Sequence, residues 1–381
     1  MSLGFLWSVG IVSIGTACAL WPVRRPGPLR GLCFRIGLLV SELPFIALLF
    51  VVFSPALAFA QGDVDTVGDA VVVGLAVLTV AGLVVVVRRA LRARRVVADA
   101  LDASYGLDEE SKACLRQRLP WARILFRPFF TRRFDVRRIG NLRYGDAGRR
   151  NLLDVYLPRS GAVRGPVLIH LHGGAYFAGR KNSQALPMIY RLASKGWLCI
   201  SANYRLRPEA EHPAHLVDYK RVIAWARAHA AEYGADPSLL FATGSSAGGH
   251  MAALAGLTPN DPAYQPGFED VDTTVTAVIS LGGYHGNYYG QGESSSPVGH
   301  VRADAPPFFI VHGEQDTMVP VDTARTFATA LAAVSTTPVA YAQLPGAQHS
   351  FDLFHSIRFE SVVNSIEAFT TTVLGRLTRS N

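Results

Sequence analysis

The apolar positions of this chain are bunched at its front. Met1–Trp21 carries no charged side chain, residues 36–60 carry only Glu42, and residues 70–87 carry none. Each stretch is long enough for a membrane-spanning helix, and none shows the polar face of an amphipathic surface helix. The pattern predicts three transmembrane helices, with kinks at Pro44 and Pro55 in the second. Ala17-Cys18-Ala19 has the form of a signal-peptide cleavage site, but no basic segment precedes the apolar run as such a peptide requires.

Arginine placement orients these segments. Arg24, Arg25, Arg30 and Arg35 separate the first two, and Arg88, Arg89, Arg92, Arg94 and Arg95 follow the third. The intervening loop has Asp63 and Asp65 and no basic residue. Basic residues stay cytoplasmic, so the N-terminus is expected outside and the bulk of the chain inside. Glu42 is expected to reach the headgroups or pair with Arg35.

From Val96 the pattern changes. Residues 96–131 interleave bases with aromatics, as in Trp121-Ala-Arg-Ile-Leu-Phe-Arg-Pro-Phe-Phe130, and beside apolar spans this reads as a collar at anionic headgroups. Beyond residue 132, short buried strands alternate with helical periodicity. Strands are predicted at 134–144, 152–157, 167–171, 198–203, 239–243, 275–281, 308–311 and 338–344, and helices at 214–233, 321–334 and 357–377. Such alternation predicts a mostly parallel α/β sheet with helices on both faces. The expected organisation is a membrane region over 1–95, a connector over 96–131 and a catalytic domain over 132–381.

Composition adds two exclusions. The net charge of +8 comes largely from the collar and from Arg132, Arg133, Arg137 and Arg138, with no nucleic-acid recognition motif beside it. Cys18, Cys33, Cys114 and Cys199 are too scattered for a disulfide framework or a zinc site, and nothing indicates a metal or other cofactor.

The chemistry is carried by four motifs. Phe241-Ala-Thr-Gly-Ser-Ser-Ala-Gly-Gly-His250 reads as a strand, then Gly-x-Ser-x-Gly centred on Ser246, then a helix. That is the nucleophile-elbow arrangement, in which Gly244 and Gly248 permit the sharp reversal and the Ala247 N–H lies beside the reacting carbonyl. His172-Gly173-Gly174-Ala175 directly follows a strand and offers backbone N–H groups to an oxyanion. Asp316 follows the 308–311 strand, at the carboxyl end where catalytic groups of open α/β sheets gather. His349 lies in a small-residue turn after the 338–344 strand, giving the chain order Ser, Asp, His. Asp322 competes with Asp316 but reads as a helix N-terminal charge. His355, His312, His300 and His285 compete with His349, and Ser245 is expected to pack or hydrogen-bond locally.

With these motifs the region from Leu152 onward resembles the α/β-hydrolase superfamily, specifically the hormone-sensitive-lipase-like and feruloyl-esterase-like carboxylesterases. The matching segments are Asp154-Val-Tyr-Leu-Pro158, His172-Gly-Gly174, Asn203-Tyr-Arg-Leu-Arg-Pro-Glu209, Gly244-Ser-Ser-Ala-Gly248 and the Asp316 and His349 turns. Residues 257–273 further resemble the mycobacterial esterase/lipase group. Ala175 stands where many relatives carry a third glycine, and the apolar front end is no shared family feature. The resemblance implies a carboxylesterase or lipase acting through an acyl-serine, with Ser246, Asp316 and His349 as triad and Gly173, Gly174 and Ala247 as oxyanion donors, and the apolar front end adds the expectation that it is membrane-anchored. An acyltransferase using the same intermediate is the alternative, and a non-catalytic scaffold on this fold a second one. A small-molecule or lipid ester is the expected partner.

Overall fold

Pro44 divides the second apolar stretch in two. It has no N–H to give a preceding turn and it pushes Leu43 out of helical geometry, to φ −122° and ψ 47°, yet it suits the first position of a new helix. In the structure, a computed structural model that describes residues 3–62 and 64–380, the front of the chain therefore forms four helices. They are α1 (Leu3–Leu20), α2 (Pro28–Glu42), α3 (Pro44–Gln61) and α4 (Val67–Tyr105). Pro55 lies inside α3, which continues across it. Asp63, one of the two expected loop acids, lies outside the described residues. Among the described residues, α3 and α4 are long and apolar enough to cross a membrane, whereas the apolar part of α1 is the shorter Gly4–Leu20. Trp7, Ile11, Ile14, Leu49, Phe50, Phe53, Val77 and Leu78 on these helices are exposed, far more apolar surface than a water-facing bundle presents.

The 39-residue α4 runs without a break from the apolar stretch into the polar one, starting from a capping box between Thr66 and Asp69. Its later turns bury Ala93, Val97, Leu101 and Tyr105, each four residues from the last, in the core of the following sheet. The short helices α5 (Glu109–Arg116) and α6 (Trp121–Phe126) lead into that sheet.

The remaining elements are β1 (Val136–Arg143), β2 (Leu152–Pro158), β3 (Val167–Leu171), α7 (Leu186–Ser194), β4 (Leu198–Ala202), α8 (Ala214–His229), β5 (Leu240–Ser245), α9 (Ala247–Leu257), β6 (Ala277–Leu281), β7 (Phe308–Gly313), α10 (Val321–Val334), β8 (Val339–Leu344) and α11 (Ile357–Ser380). They form one eight-stranded sheet in the order β1-β2-β4-β3-β5-β6-β7-β8. β2 runs antiparallel to both its neighbours and all other pairs are parallel. Alternate strand residues feed opposite cores, as side chains of a pleated strand must. Val167, Ile169 and Leu171 pack with α8, α9 and α10, while Leu168 packs with α4, α7 and α11.

A buried ion pair helps tie the front helices to the sheet region. Glu42, at the end of α2, is buried and pairs with Arg358 of α11 at 3.0 Å, and Ser356 Oγ donates to its other oxygen at 2.7 Å. The expected partner Arg35 is on the same helix but is exposed, whereas Arg358 is held by the tertiary packing.

Candidate active site

The reversal at the end of β5 leaves no room for side chains. A Cβ on Gly244 would lie 2.2 Å from the Gly248 carbonyl carbon, and one on Gly248 would lie 2.0 Å from the Leu171 carbonyl oxygen. Between them Ser246 takes φ 53° and ψ −115°, a conformation few non-glycine residues adopt, held by its N–H donating to Leu281 O at 2.9 Å.

The sheet brings two distant loops to this serine. His349, after β8, places Nε2 2.9 Å from Ser246 Oγ and Nδ1 2.6 Å from Asp316 Oδ2. Asp316, after β7, accepts from the Met318 and Val319 N–H groups through Oδ1, at 2.9 and 2.7 Å. His312 Nε2 lies 3.0 Å from Val319 O and 3.3 Å from Asp316 Oδ2, and since both oxygens only accept, this nitrogen carries the proton. Burial alone would raise the Asp316 carboxyl, but His349 and His312 together outweigh it and hold the group well below the usual carboxylate range. Burial alone would lower His349, but the Asp316 charge and hydrogen bond prevail and raise it above an ordinary imidazole. The arrangement can take a proton from Ser246 Oγ and stabilise the resulting imidazolium.

The competing residues are engaged elsewhere. Asp322 is exposed and pairs with Arg325 at 2.8 Å, and His355 Nδ1 makes a short contact with Glu360. His285 bonds Ser280, and His300 reaches Ser294 O. Ser245 is not satisfied locally as expected: its hydroxyl donates to the buried Asp352 carboxylate, with His170 Nε2 at 3.0 Å. Burial raises the Asp352 carboxyl.

Of the expected oxyanion residues, Gly173 does not present a free donor. Its N–H already donates to Gln184 Oε1 at 2.5 Å. The next two residues turn away through positive φ, 116° at Gly174 and 50° at Ala175, and among the described residues neither N–H meets an intramolecular acceptor. A Cβ on Gly174 would fall 2.1 Å from Ala178 O, so this position requires glycine, whereas Ala175 carries its methyl. Ala247 opens α9, where a first-turn N–H has no partner within the helix.

A cavity of about 350 Å³ opens at Ser246, walled by Ala175, Tyr176, Ala247, Tyr284, Tyr288 and Tyr289. Tyr176 is fixed by His250 Nδ1 at 2.6 Å, and Tyr289 donates to Ala175 O at 2.8 Å under the Arg207 guanidinium, 4.1 Å from its ring centre. Three further features were not legible in the motifs. Gln348 Oε1 accepts from both Thr317 N and His349 N, tying the acid loop to the histidine loop. Asp352 underlies the elbow. Phe34 of α2 lies 6.3 Å from the His349 ring, so a front helix reaches the site itself. The spacing of Gln348, next to the histidine, was the one signal available in the sequence.

With this geometry in place, comparison with known proteins gives a consistent result. The BD-FAE family matches residues 153–286 and 279–331. The probable carboxylic ester hydrolase LipM of Mycobacterium tuberculosis is 35% identical across 97% of this chain and 93% of its own length. Esterase LipQ of the same organism is 41% identical over 61% of this chain and 62% of its own. Among solved structures, apo esterase 2 of Thermogutta terrifontis is similar with a TM-score of 0.52 and 26% identity, over 60% of this chain and 90% of that one.

Proposed function

The chain belongs to the feruloyl-esterase-like and hormone-sensitive-lipase-like carboxylesterases of the α/β-hydrolase superfamily and is a carboxylic ester hydrolase; we propose that it works through an acyl-Ser246 intermediate while held at a membrane. His349 takes the Ser246 proton as Oγ attacks the ester carbonyl, and Asp316 orients and stabilises the imidazolium. His349 then returns the proton to the leaving alkoxide. Water, deprotonated by His349 in its turn, attacks the acyl-serine, and the acid departs as Ser246 regains its proton. The observation that carries this reading is the Ser246–His349–Asp316 chain, at 2.9 and 2.6 Å.

The developing oxyanion is assigned to the N–H groups of Gly174, Ala175 and Ala247, with Gly173 replaced by Ala175 because Gln184 occupies the Gly173 N–H. Each such donor contributes about 3 kcal/mol to the transition state. The cavity, near the low end of the roughly 300–1,000 Å³ range of small-molecule sites, favours a compact ester group with an apolar acyl part against the tyrosines.

Anchoring is supported by the membrane-length α3 and α4 and by the exposed apolar side chains of the front helices. The arginines after α1 and along α4 favour a cytoplasmic catalytic domain, with substrates drawn from cytoplasmic esters or inner-leaflet lipids. The test is hydrolysis of a chain-length series of model esters by wild type and Ser246→Ala, with and without an alcohol acceptor. Ser246-dependent release of free acid supports the proposal. Ester product formed in preference to acid would reassign the enzyme as an acyltransferase, and turnover surviving Ser246→Ala would overturn the mechanism.

A further inference from the structure

A second cavity, larger than the one at Ser246, does not belong to the ester site. It measures about 850 Å³ and lies where the α1–α2 connection, the middle of α4 and the loops after β7 and β8 meet. Arg24, Arg89, Arg92 and Arg95 line it, the last three at intervals of three along α4 and so on neighbouring turns of one side. Two carboxylates share the lining: Asp99 pairs with Arg95 at 3.4 Å, and Glu314 accepts from Gly346 N at 2.8 Å, which leaves Arg24, Arg89 and Arg92 in excess. Two polar atoms of the lining are buried without a hydrogen-bond partner, Arg89 Nη1 and Gln315 Oε1. An unpartnered buried guanidinium nitrogen is costly, and an anionic ligand in the cavity would supply the acceptor it lacks.

We propose that this arginine-lined cavity binds a phosphate group, presented by an anionic lipid headgroup or by a free phosphate anion. Several guanidiniums converging on one space match the multiple acceptor oxygens of a phosphate, which Arg recognises better than a single carboxylate could satisfy. Gln315 Oε1 then accepts from a hydroxyl of the same headgroup or of a protonated phosphate. Depth favours the lipid source. The uncharged stretch of α4 ends at Val87, and at about 1.5 Å per residue Arg89 and Arg92 lie about 3 and 8 Å beyond it, within the headgroup layer of a bilayer whose apolar core ends there. The site also borders both catalytic loops, since Gln315 precedes Asp316 and a Cβ on Gly346, three residues before His349, would lie 2.8 Å from Arg89 Cδ. The lipid source rests on the membrane placement proposed above, whereas the phosphate chemistry does not.

The test uses the full chain in neutral detergent micelles, titrated with phosphatidylglycerol, phosphatidylcholine or inorganic phosphate at constant ionic strength, with thermal stabilisation as readout. Arg24→Gln/Arg92→Gln removes two exposed guanidiniums of the cavity, Arg89→Gln removes the half-buried one whose Nη1 is unpartnered, and a collar variant, Arg127→Gln/Arg137→Gln, removes as much charge as the first from the collar and β1, outside the cavity. Stabilisation by phosphatidylglycerol but not phosphatidylcholine, with affinity weakened about tenfold or more in Arg24→Gln/Arg92→Gln and little changed in the collar variant, establishes a lipid-headgroup site. The same pattern with inorganic phosphate alone establishes a free-anion site. Equal weakening in the cavity and collar variants, or no stabilisation by either anion, overturns the proposal. Hydrolysis of a soluble short-chain ester, which Arg24→Gln/Arg92→Gln retains, separates failure of this site from failure of the esterase mechanism.

Discussion

Replacing Glu42 with Gln removes the carboxylate that neutralises Arg358 where α2 meets α11. Both residues are almost fully enclosed, at 2% and 1% exposure, so the arginine left behind cannot recover its lost partner from water. Breaking a buried pair on one side costs about 3–5 kcal/mol. Arg358 keeps three carbonyl acceptors, Ser41 O at 2.6 Å, Pro345 O at 3.2 Å and Gly346 O at 3.4 Å, which places Glu42→Gln near the low end, about 3 kcal/mol. Glu42→Ala also strips the Ser356 hydroxyl of its acceptor and belongs near the upper end, about 5 kcal/mol. In Glu42→Gln/Arg358→Met the charges vanish together, and the double variant is expected to recover about 2 kcal/mol relative to the sum of the single changes. The assay is reversible unfolding of the full chain in mixed micelles, followed by tryptophan fluorescence, for wild type, the single variants Glu42→Gln, Glu42→Ala and Arg358→Met, and the double. Losses below about 1 kcal/mol in the single variants, or strict additivity in the double, would refute the claim that this pair locks the front helices to the hydrolytic fold.

Ser246→Ala abolishes labelling by a serine-directed phosphonate and lowers turnover about a millionfold, and label that persists would sink the nucleophile assignment. Asp316→Asn folds but loses about 10⁴ in kcat, because the Met318 and Val319 N–H groups hold Oδ1 and turn the amide NH₂ toward His349 Nδ1, imposing the wrong tautomer. Asp322→Asn stays near wild type, and the reverse outcome would transfer the role. Catalysis needs neutral His349, and its pKa is raised, so log kcat/KM should climb with pH through a midpoint above 6.5 and level off; a midpoint well below 6.5 contradicts the Asp316 contact. The same raised pKa gives a stability contribution fully present below the unfolded value and lost as pH rises through the folded one. In intact cells, a cysteine replacing Thr66 should react with a membrane-impermeant reagent and one replacing Asn381 should not, and the opposite pattern places the catalytic domain outside.

Local signals were read correctly where local physics decides the outcome. The strand–glycine–serine–glycine–helix run around Ser246 is legible because the turn itself forbids Cβ atoms at Gly244 and Gly248. The strand Val167–Leu171 and the helix Val321–Val334 have the predicted bounds, and the other predicted strands and helices of the sheet region appear with shifts of a few residues at their ends. The front end was less legible. A kink was expected at Pro44, but proline lacks the N–H that a continuing helix needs, and the break there is complete, so one expected span became the two helices α2 and α3.

The chain by itself determined which residue types were available for acyl transfer, in which order, and at the ends of which strands. The fold alone decided which of them meet. Asp316 and Asp322 are six positions apart and chemically equivalent, but the register of β7 beside β8 puts one against His349 and leaves the other in solvent with Arg325. Gly173 and Ala175 are equally able donors on paper, yet a side chain eleven residues away, Gln184, takes the first N–H, and positive φ turns the chain before the second. Glu42 and Arg358 are 316 residues apart, and no spacing rule pairs them. Periodicity and turn chemistry act over a few residues and are therefore written in the sequence, whereas hydrogen-bond partners and buried charges depend on which surfaces are brought together, which only the packed chain settles.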